Sequence, residues 1–264
     1  MTLPHKIVRE ANLPSPSPIL NQLFEMMFDP NTALDDLADT ISTDAGLSAR
    51  TLRSANAAFS SPEQKIENVR DAVVRIGLLW TIHIVATTEI KAVFFSVPGQ
   101  YGDMKRLWTH NLVTACIADA YAQYLRLEKP ARWFTGGLLH DVGRLVLLCH
   151  DPVMYADVLQ NAKAHNIPLT LAEQNSYGLS HEEAGFELMR LWQFPIEICN
   201  AAFHHAQAFV DYADFRSGIC IANDLANALE GNEPFPQYGG FSSEKLIAQA
   251  SEKYEAMKKV SGFA

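Results

Sequence analysis

Seven side chains able to hold a metal ion or move a proton are spread along this 264-residue chain: His110, His140, Asp141, His181, His204, His205 and Asp224. The adjacent pair His140-Asp141 lies in an apolar run with Leu138, Leu139, Val142 and Leu145–Leu148 around it. Burying a carboxylate and an imidazole there is costly unless something pairs with them. A divalent transition metal is the strongest such partner, and a mixed imidazole and carboxylate set suits iron, manganese, zinc or nickel. Without a metal the same dipeptide could be a buried hydrogen-bonded pair, and His204 and His205 could serve only the dipole at a helix C-terminus. There is no Gly-x-Ser-x-Gly elbow, phosphate-cradling glycine loop or zinc-ribbon spacing, which leaves a serine hydrolase or P-loop enzyme without support.

Each of these residues falls on a different predicted helix, apart from the two adjacent pairs, and helices crossing around one core can aim them at one point. Residues 1–15 read as a short leader. Ser17 and Pro18 open the first helix, whose apolar positions Ile19, Leu20, Leu23, Phe24 and Met27 repeat at helical spacing. A second helix is predicted from Thr32, with Asp35 three residues on, and a third over 45–59. A fourth, 69–76, stops at Gly77, and a fifth covers 78–95. The Val97–Gly102 stretch is the clearest break. Beyond it a long helix over 103–125 turns His110 inward, a helix over 136–148 carries His140-Asp141, and another runs from Pro152 to about Ala164. Thr170 with Glu173 is predicted to cap a short helix, and Ser180 with Glu183 forms a capping box that opens 181–192. Pro195 opens a helix ending in His204-His205, 213–230 carries Asp224, and a polar helix over 243–259 closes the chain. No strand alternation occurs, so the predicted class is all-α: a helical subdomain over 13–96, a helical domain over 100–230 with the His/Asp site, and a C-terminal loop and helix over 231–264.

Hydrophobic residues make up 48% of the chain and charged ones 19%, enough to bury a sizeable core. A net charge of −9 without a Lys/Arg cluster disfavours nucleic acid and anionic membranes as partners. Cys116, Cys149, Cys199 and Cys220 form no CxxC pair and read as buried thiols in a reducing compartment. No secretory leader is recognised, and the greasy run 78–97 carries His83, Glu89 and Lys91, so a cytoplasmic location is expected. His83 reads as a satisfied core histidine rather than a ligand.

The order His110, His140-Asp141, Asp224 resembles the HD superfamily of metal-dependent phosphohydrolases, and His181 with His204-His205 resembles the second-metal set of its HD-GYP branch. The fullest resemblance is to the HDOD branch, the HD-related output domain. It is carried by Leu13-Pro14, Asp29-Pro30, Leu34-Asp35-Asp36-Leu37-Ala38, Asp44–Leu52, Ala55-Asn56, Val69–Gly77, Gly137–Leu145 and Leu191–Pro195, over residues 13–230. It implies an HD-domain-like helical bundle acting as a bacterial signal-transduction module without turnover, with signalling proteins and a nucleotide or phosphate as partners. The alternative it leaves open is a metal-dependent phosphohydrolase. It implies one or two divalent ions, the first on His110, His140, Asp141 and Asp224, the second on His181, His204 and His205 with Asp141 bridging, and Arg144 as the phosphate contact. Two departures from HD-GYP stand out: Ala206–Val210 follows His205 where Gly-Tyr-Pro is expected, and Arg144 replaces a lysine. Oligomeric state is left open.

Overall fold

The computed structural model describes residues 2–29, 31–59, 65–96, 104–128, 130–203, 205, 211–231, 236, 238 and 241–261. Every regular element among them is an α-helix, as the patterning predicts. The break expected at Val97–Gly102 lies outside the described residues, as does most of the Pro/Gly-rich loop after Gly231.

The supposed leader is a helix, α1 (Leu3–Ala11), which ends where Asn12 takes a left-handed conformation. It buries Ile7 and Val8. It packs on two later helices, α8 (Val142–His150) and α11 (His181–Leu191), and its His5 Nδ1 lies 2.6 Å from Glu187 Oε1. Two apolar side chains in a polar segment are too weak a stripe to read without the partners that cover them.

Next come α2 (Pro18–Phe28), α3 (Leu34–Ser42), α4 (Ala45–Phe59) and α5 (Val69–Phe94). Ser17 caps α2 as predicted, its Oγ accepting from the Ile19 amide. The start of α3 is corrected from Thr32 to Leu34. The Thr32 hydroxyl donates back to the Met26 carbonyl, and Asp36 accepts from the Ala33 amide. Within α5 the predicted stop is a sharp break: Gly77 has φ 79° and ψ 167°, a conformation favouring glycine. This helix is long and apolar enough to cross a membrane, but most of its apolar window is buried against other helices.

The remaining helices are α6 (Met104–Tyr124), α7 (Pro130–Leu139), α8, α9 (Pro152–His165), α10 (Leu169–Tyr177), α11, α12 (Ile196–Phe203), α13 (Phe215–Leu229) and α14 (Ser243–Ser261). The single helix predicted over 136–148 is two, α7 and α8, with His140-Asp141 in the turn between them. The His140 ring donates to the Gly137 carbonyl, satisfying one of the orphan acceptors at the end of α7 and ending the helix there. At α10, Pro168 precedes the first residue and no side chain caps it, so Thr170 with Glu173 is not its cap. At α11 the Ser180–Glu183 capping box forms as predicted. The described part of α12 runs to Phe203, and His204 lies outside the described residues.

Two glycines set how closely these helices approach. A Cβ on Gly137 would lie 2.7 Å from the Ala115 Cα, so α7 rests directly on the α6 backbone. A Cβ on Gly143 would land on the His181 carbonyl oxygen and the Gly185 amide, so α8 and α11 touch backbone to backbone. The second approach brings Asp141 beside His181.

Candidate metal centre

The His140-Asp141 turn is the hub. Because His140 Nδ1 donates to the Gly137 carbonyl at 2.8 Å, its Nε2 carries the lone pair. That atom is buried, has no hydrogen-bond partner, and lies 3.7 Å from Asp141 Oδ1. Desolvation by burial pushes the His140 pKa down to about 3, against the pull of Asp141, so the ring stays neutral.

The same Asp141 oxygen faces two more rings. His181 Nε2 and His205 Nε2 each lie 3.3 Å from Oδ1, and 3.3 Å from one another. The three atoms form a triangle of nearly equal sides. Ligands at bonds of about 2.0–2.1 Å to a tetrahedral ion stand roughly 3.4 Å apart, so the spacing suits a small divalent cation. The outer groups suit it too. Glu173 accepts from both the backbone amide and Nδ1 of His181, at 2.8 and 2.6 Å, which leaves Nε2 to coordinate. Burial would lower the His181 pKa, but the Glu173 carboxylate and then Asp141 outweigh it and raise it. Burial alone would raise the Asp141 carboxyl; His140, Arg144, His205 and His181 more than offset this and hold it well below the usual range.

On the other side, His110 joins His140 and Asp141 in a second group of converging ligand atoms. His110 Nδ1 lies 2.8 Å from Glu230 Oε1, and its Nε2 meets the Asn223 side-chain amide at 3.0 Å. Asn223 and Asn227 on α13 and Glu230 at its C-cap recur at helical spacing.

Of the predicted ligands, the structure thus gathers His110, His140, Asp141, His181 and His205. His204 lies outside the described residues. Asp224 does not join the cluster: its Oδ2 accepts from the Tyr238 hydroxyl at 2.7 Å, and it belongs to neither converging group. The reason is helical geometry, since one residue is about 100° of rotation and the position facing His110 is Asn223. Arg144 does sit at the site, but its Nη1 bonds Asp141 Oδ2 at 2.8 Å and its Nε meets the Tyr155 hydroxyl at 3.3 Å. Tyr155 in turn donates to Glu173 Oε1 at 3.0 Å, closing a ring of polar contacts around the hub. A cavity of about 540 Å³ opens onto His110, Asp141, Arg144, His181, His205 and Asn223.

Sequence reasoning missed Glu173, Glu230, Asn223 and Tyr155. A signal existed for Glu173: it lies on the same stripe of α10 as Ala172 and Tyr177, and a carboxylate on an apolar stripe demands a buried partner. A divalent ion held by these residues would lower the pKa of a bound water toward neutrality. The protein's own part is to keep His140 neutral, to fix the His181 tautomer through Glu173, and to hold Asp141 ionised with Arg144.

The HDOD domain family model matches residues 13–208. A crystal structure of an HDOD domain protein of unknown function from Geobacter sulfurreducens is 26% identical, with a TM-score of 0.74 over 98% of this chain and 88% of that one. A Shewanella amazonensis protein whose name assigns it provisionally to the phosphohydrolases is 20% identical, with a TM-score of 0.74 over 97% of both chains. An uncharacterized protein of Treponema pallidum is 26% identical over 212 residues, 79% of this chain; the match spans only 41% of that relative's length. Family match and shared fold agree: this chain belongs to the HDOD domain family.

Proposed function

We propose that this chain is a bacterial, cytoplasmic signal-transduction module that binds one or two divalent transition metals at the His/Asp cluster and relays a signal to partner proteins without turnover. The observation that carries the metal is the 3.3 Å triangle of Asp141 Oδ1, His181 Nε2 and His205 Nε2, with Glu173 behind His181. Two features support a regulatory role. Arg144 is engaged by Asp141 and Tyr155, and a guanidinium is a poor proton donor to a leaving group. An amide, Asn223, faces His110 where a carboxylate would complete the first ligand set. Metal content of protein purified without chelator, together with the melting temperature on adding zinc, iron or manganese, tests the reading. Absence of metal and no thermal gain would sink it.

A second reading, a metal-dependent phosphohydrolase, is favoured by the cavity open to Asp141 and Arg144 and by the name of the Shewanella relative. Metal-loaded protein is expected to show weak or no hydrolysis of cyclic dinucleotides. Turnover of these or of simple phosphomonoesters that vanishes in both His140→Ala and Asp141→Ala would replace the regulatory reading with the enzymatic one.

A further inference from the structure

The open space at the His/Asp cluster has a second lobe. A cavity of about 320 Å³ adjoins the one already described, and His110, Arg144 and Asn227 line both. Its floor is apolar. Met104 and Leu107 come from α6, Leu148 from α8 and Leu159 from α9. Leu148 lies one turn beyond Arg144, and Leu159 one turn beyond Tyr155, so each stripe runs from the metal side into the lobe. Met104, Leu107 and Leu148 are buried and Leu159 is half-buried. Interiors elsewhere are packed to the density of organic crystals, and four apolar side chains around one gap forgo the contacts a neighbour would supply.

The polar groups of the lobe are mostly engaged with one another. Glu230 lies 2.8 Å from His110 Nδ1 through Oε1 and 3.5 Å from Arg106 Nη2 through Oε2. The Asn227 amide donates to Asn223 Oδ1 at 3.4 Å. Tyr155 donates to Glu173, and Arg144 to Asp141. Lys163 stands at the exposed rim. A nucleotide base placed here would give up water along its polar edge and find few groups to replace it. A plain aromatic ring or a short alkyl chain gives up nothing and covers the floor.

Taking the metal reading of the cluster as its basis, we propose that this site serves a two-part ligand. An oxyanion head, phosphate or carboxylate, meets the metal, and an apolar body, one aromatic ring or a short alkyl chain, fills the lobe floored by Met104, Leu107, Leu148 and Leu159. Hard oxygen ligands suit a divalent ion with an open position. The lobe's volume falls within the roughly 300–1,000 Å³ usual for small-molecule sites, and an apolar lining with a few polar groups at one end is the usual form of such sites.

The test compares two ligands with the same head. Manganese uptake by the full chain is measured first, and the loaded protein is then titrated calorimetrically with phenylphosphonate and with methylphosphonate. The phenyl compound is expected to bind about tenfold tighter or more, from the apolar surface its ring buries. Leu159→Trp fills the lobe from a half-buried position, and should abolish that preference while leaving manganese affinity and methylphosphonate binding unchanged. Met104→Gln, in the first turn of α6, makes the floor polar and should reduce the preference several-fold, with circular dichroism checking the fold of both variants. Benzoate binding as tightly as phenylphosphonate would identify any oxyanion as the head; no benzoate binding would identify phosphate. Equal binding of the two phosphonates by a chain that takes up manganese overturns this inference and leaves the metal reading standing. So does a phenyl preference that survives both variants, or AMP binding tighter than phenylphosphonate. A chain that takes up no manganese overturns the metal reading and, with it, the head of the ligand.

Discussion

Asp141 and Asp119 are both buried carboxylates beside a buried imidazole, and their surroundings put them to different uses. Asp119 Oδ1 lies 3.8 Å from His83 Nε2, while its other oxygen is bonded by Lys253 and Gln123. His83 is stacked on Phe134 with ring centroids 4.1 Å apart, and neither of its nitrogens has a hydrogen-bond partner. Nothing orients that ring toward a ligand. Around Asp141, by contrast, three imidazole nitrogens lie within 3.7 Å of one oxygen. Two of those rings, His140 and His181, are turned by a hydrogen bond at the far nitrogen. A His/Asp pair marks a metal site when several lone pairs converge and each is aimed from behind. Short of that, it is an ion pair with a histidine packed beside it.

The largest test of this contrast removes each carboxylate. Asp119→Ala strands Lys253, which is 8% exposed, and Asp141→Ala strands Arg144, whose side chain is 25% exposed. Leaving a buried charge without its partner costs about 3–5 kcal/mol, so Asp119→Ala should sit near the top of that range and Asp141→Ala lower. Only Asp141→Ala is expected to abolish stabilisation by added metal. Denaturant titrations with and without manganese or zinc check both. Metal stabilisation retained in Asp141→Ala, or lost in Asp119→Ala, would break the distinction.

A smaller effect is expected where the metal site depends on helix approach. Gly143→Ala places a methyl group on the His181 carbonyl and must push α8 from α11. Overpacking of this kind costs about 1–3 kcal/mol. Because the shift separates Asp141 from His181, metal affinity should fall as well. A variant with native stability and native metal affinity would show that the contact is not what sets the triangle.

Those residues also show how far the sequence alone reaches. The helices with caps and a clear apolar stripe were legible: Ser17 at α2, the Ser180–Glu183 box at α11, and the stop at Gly77. Of the seven candidate ligands, His110, His140, Asp141, His181 and His205 converge, whereas Asp224 turns to Tyr238 and His204 lies outside the described residues. What was not legible depends on rotation and on partners distant in sequence. Asp224 and Asn223 are neighbours on α13, and only the packed helix shows which one faces His110. Glu173 has the spacing of a capping residue after Thr170, yet it turns inward because His181 and Tyr155 need an acceptor. α1 contributes two core residues, too few to stand out before α8 and α11 are there to cover them.

The two regions should also part in acid. In metal-free protein, burial holds the folded-state pKa of His140 at about 3 and that of His83 well below its ordinary value of 6.5. For a depressed folded-state pKa, stability is full above the unfolded value and is lost as pH falls toward the folded one. The loss therefore runs from about pH 6.5 down to 3 for His140, with a slope up to roughly 1.4 kcal/mol per pH unit for each proton. His181 runs the other way: its raised pKa contributes stability below pH 6.5 that fades as pH rises through the folded value. Saturating metal should shift the His140 window, because coordination competes with the proton, and leave the His83 contribution in place. Unfolding curves between pH 7 and 4 for wild type, His140→Leu and His83→Leu check this. An equal response of both variants to metal would contradict it.

The smallest expected change concerns the residue facing His110. Asn223 meets His110 Nε2 through a neutral amide, while Asp224 is bonded to Tyr238. Asn223→Asp exchanges an amide for a carboxylate of the same shape. A carboxylate oxygen is a better ligand for a divalent ion, and its charge offsets the ion's own. The expectation is about tenfold tighter binding, equivalent to about 1.4 kcal/mol. Asp224→Asn should leave metal affinity unchanged and cost about 1 kcal/mol of stability through the weakened Tyr238 contact. Metal titrations of the two single variants decide between the positions. If Asp224→Asn lost the metal and Asn223→Asp changed nothing, the ligand role would return to Asp224. The helix would then have to rotate when the ion binds, since in the present packing it is Asn223 that faces the histidines.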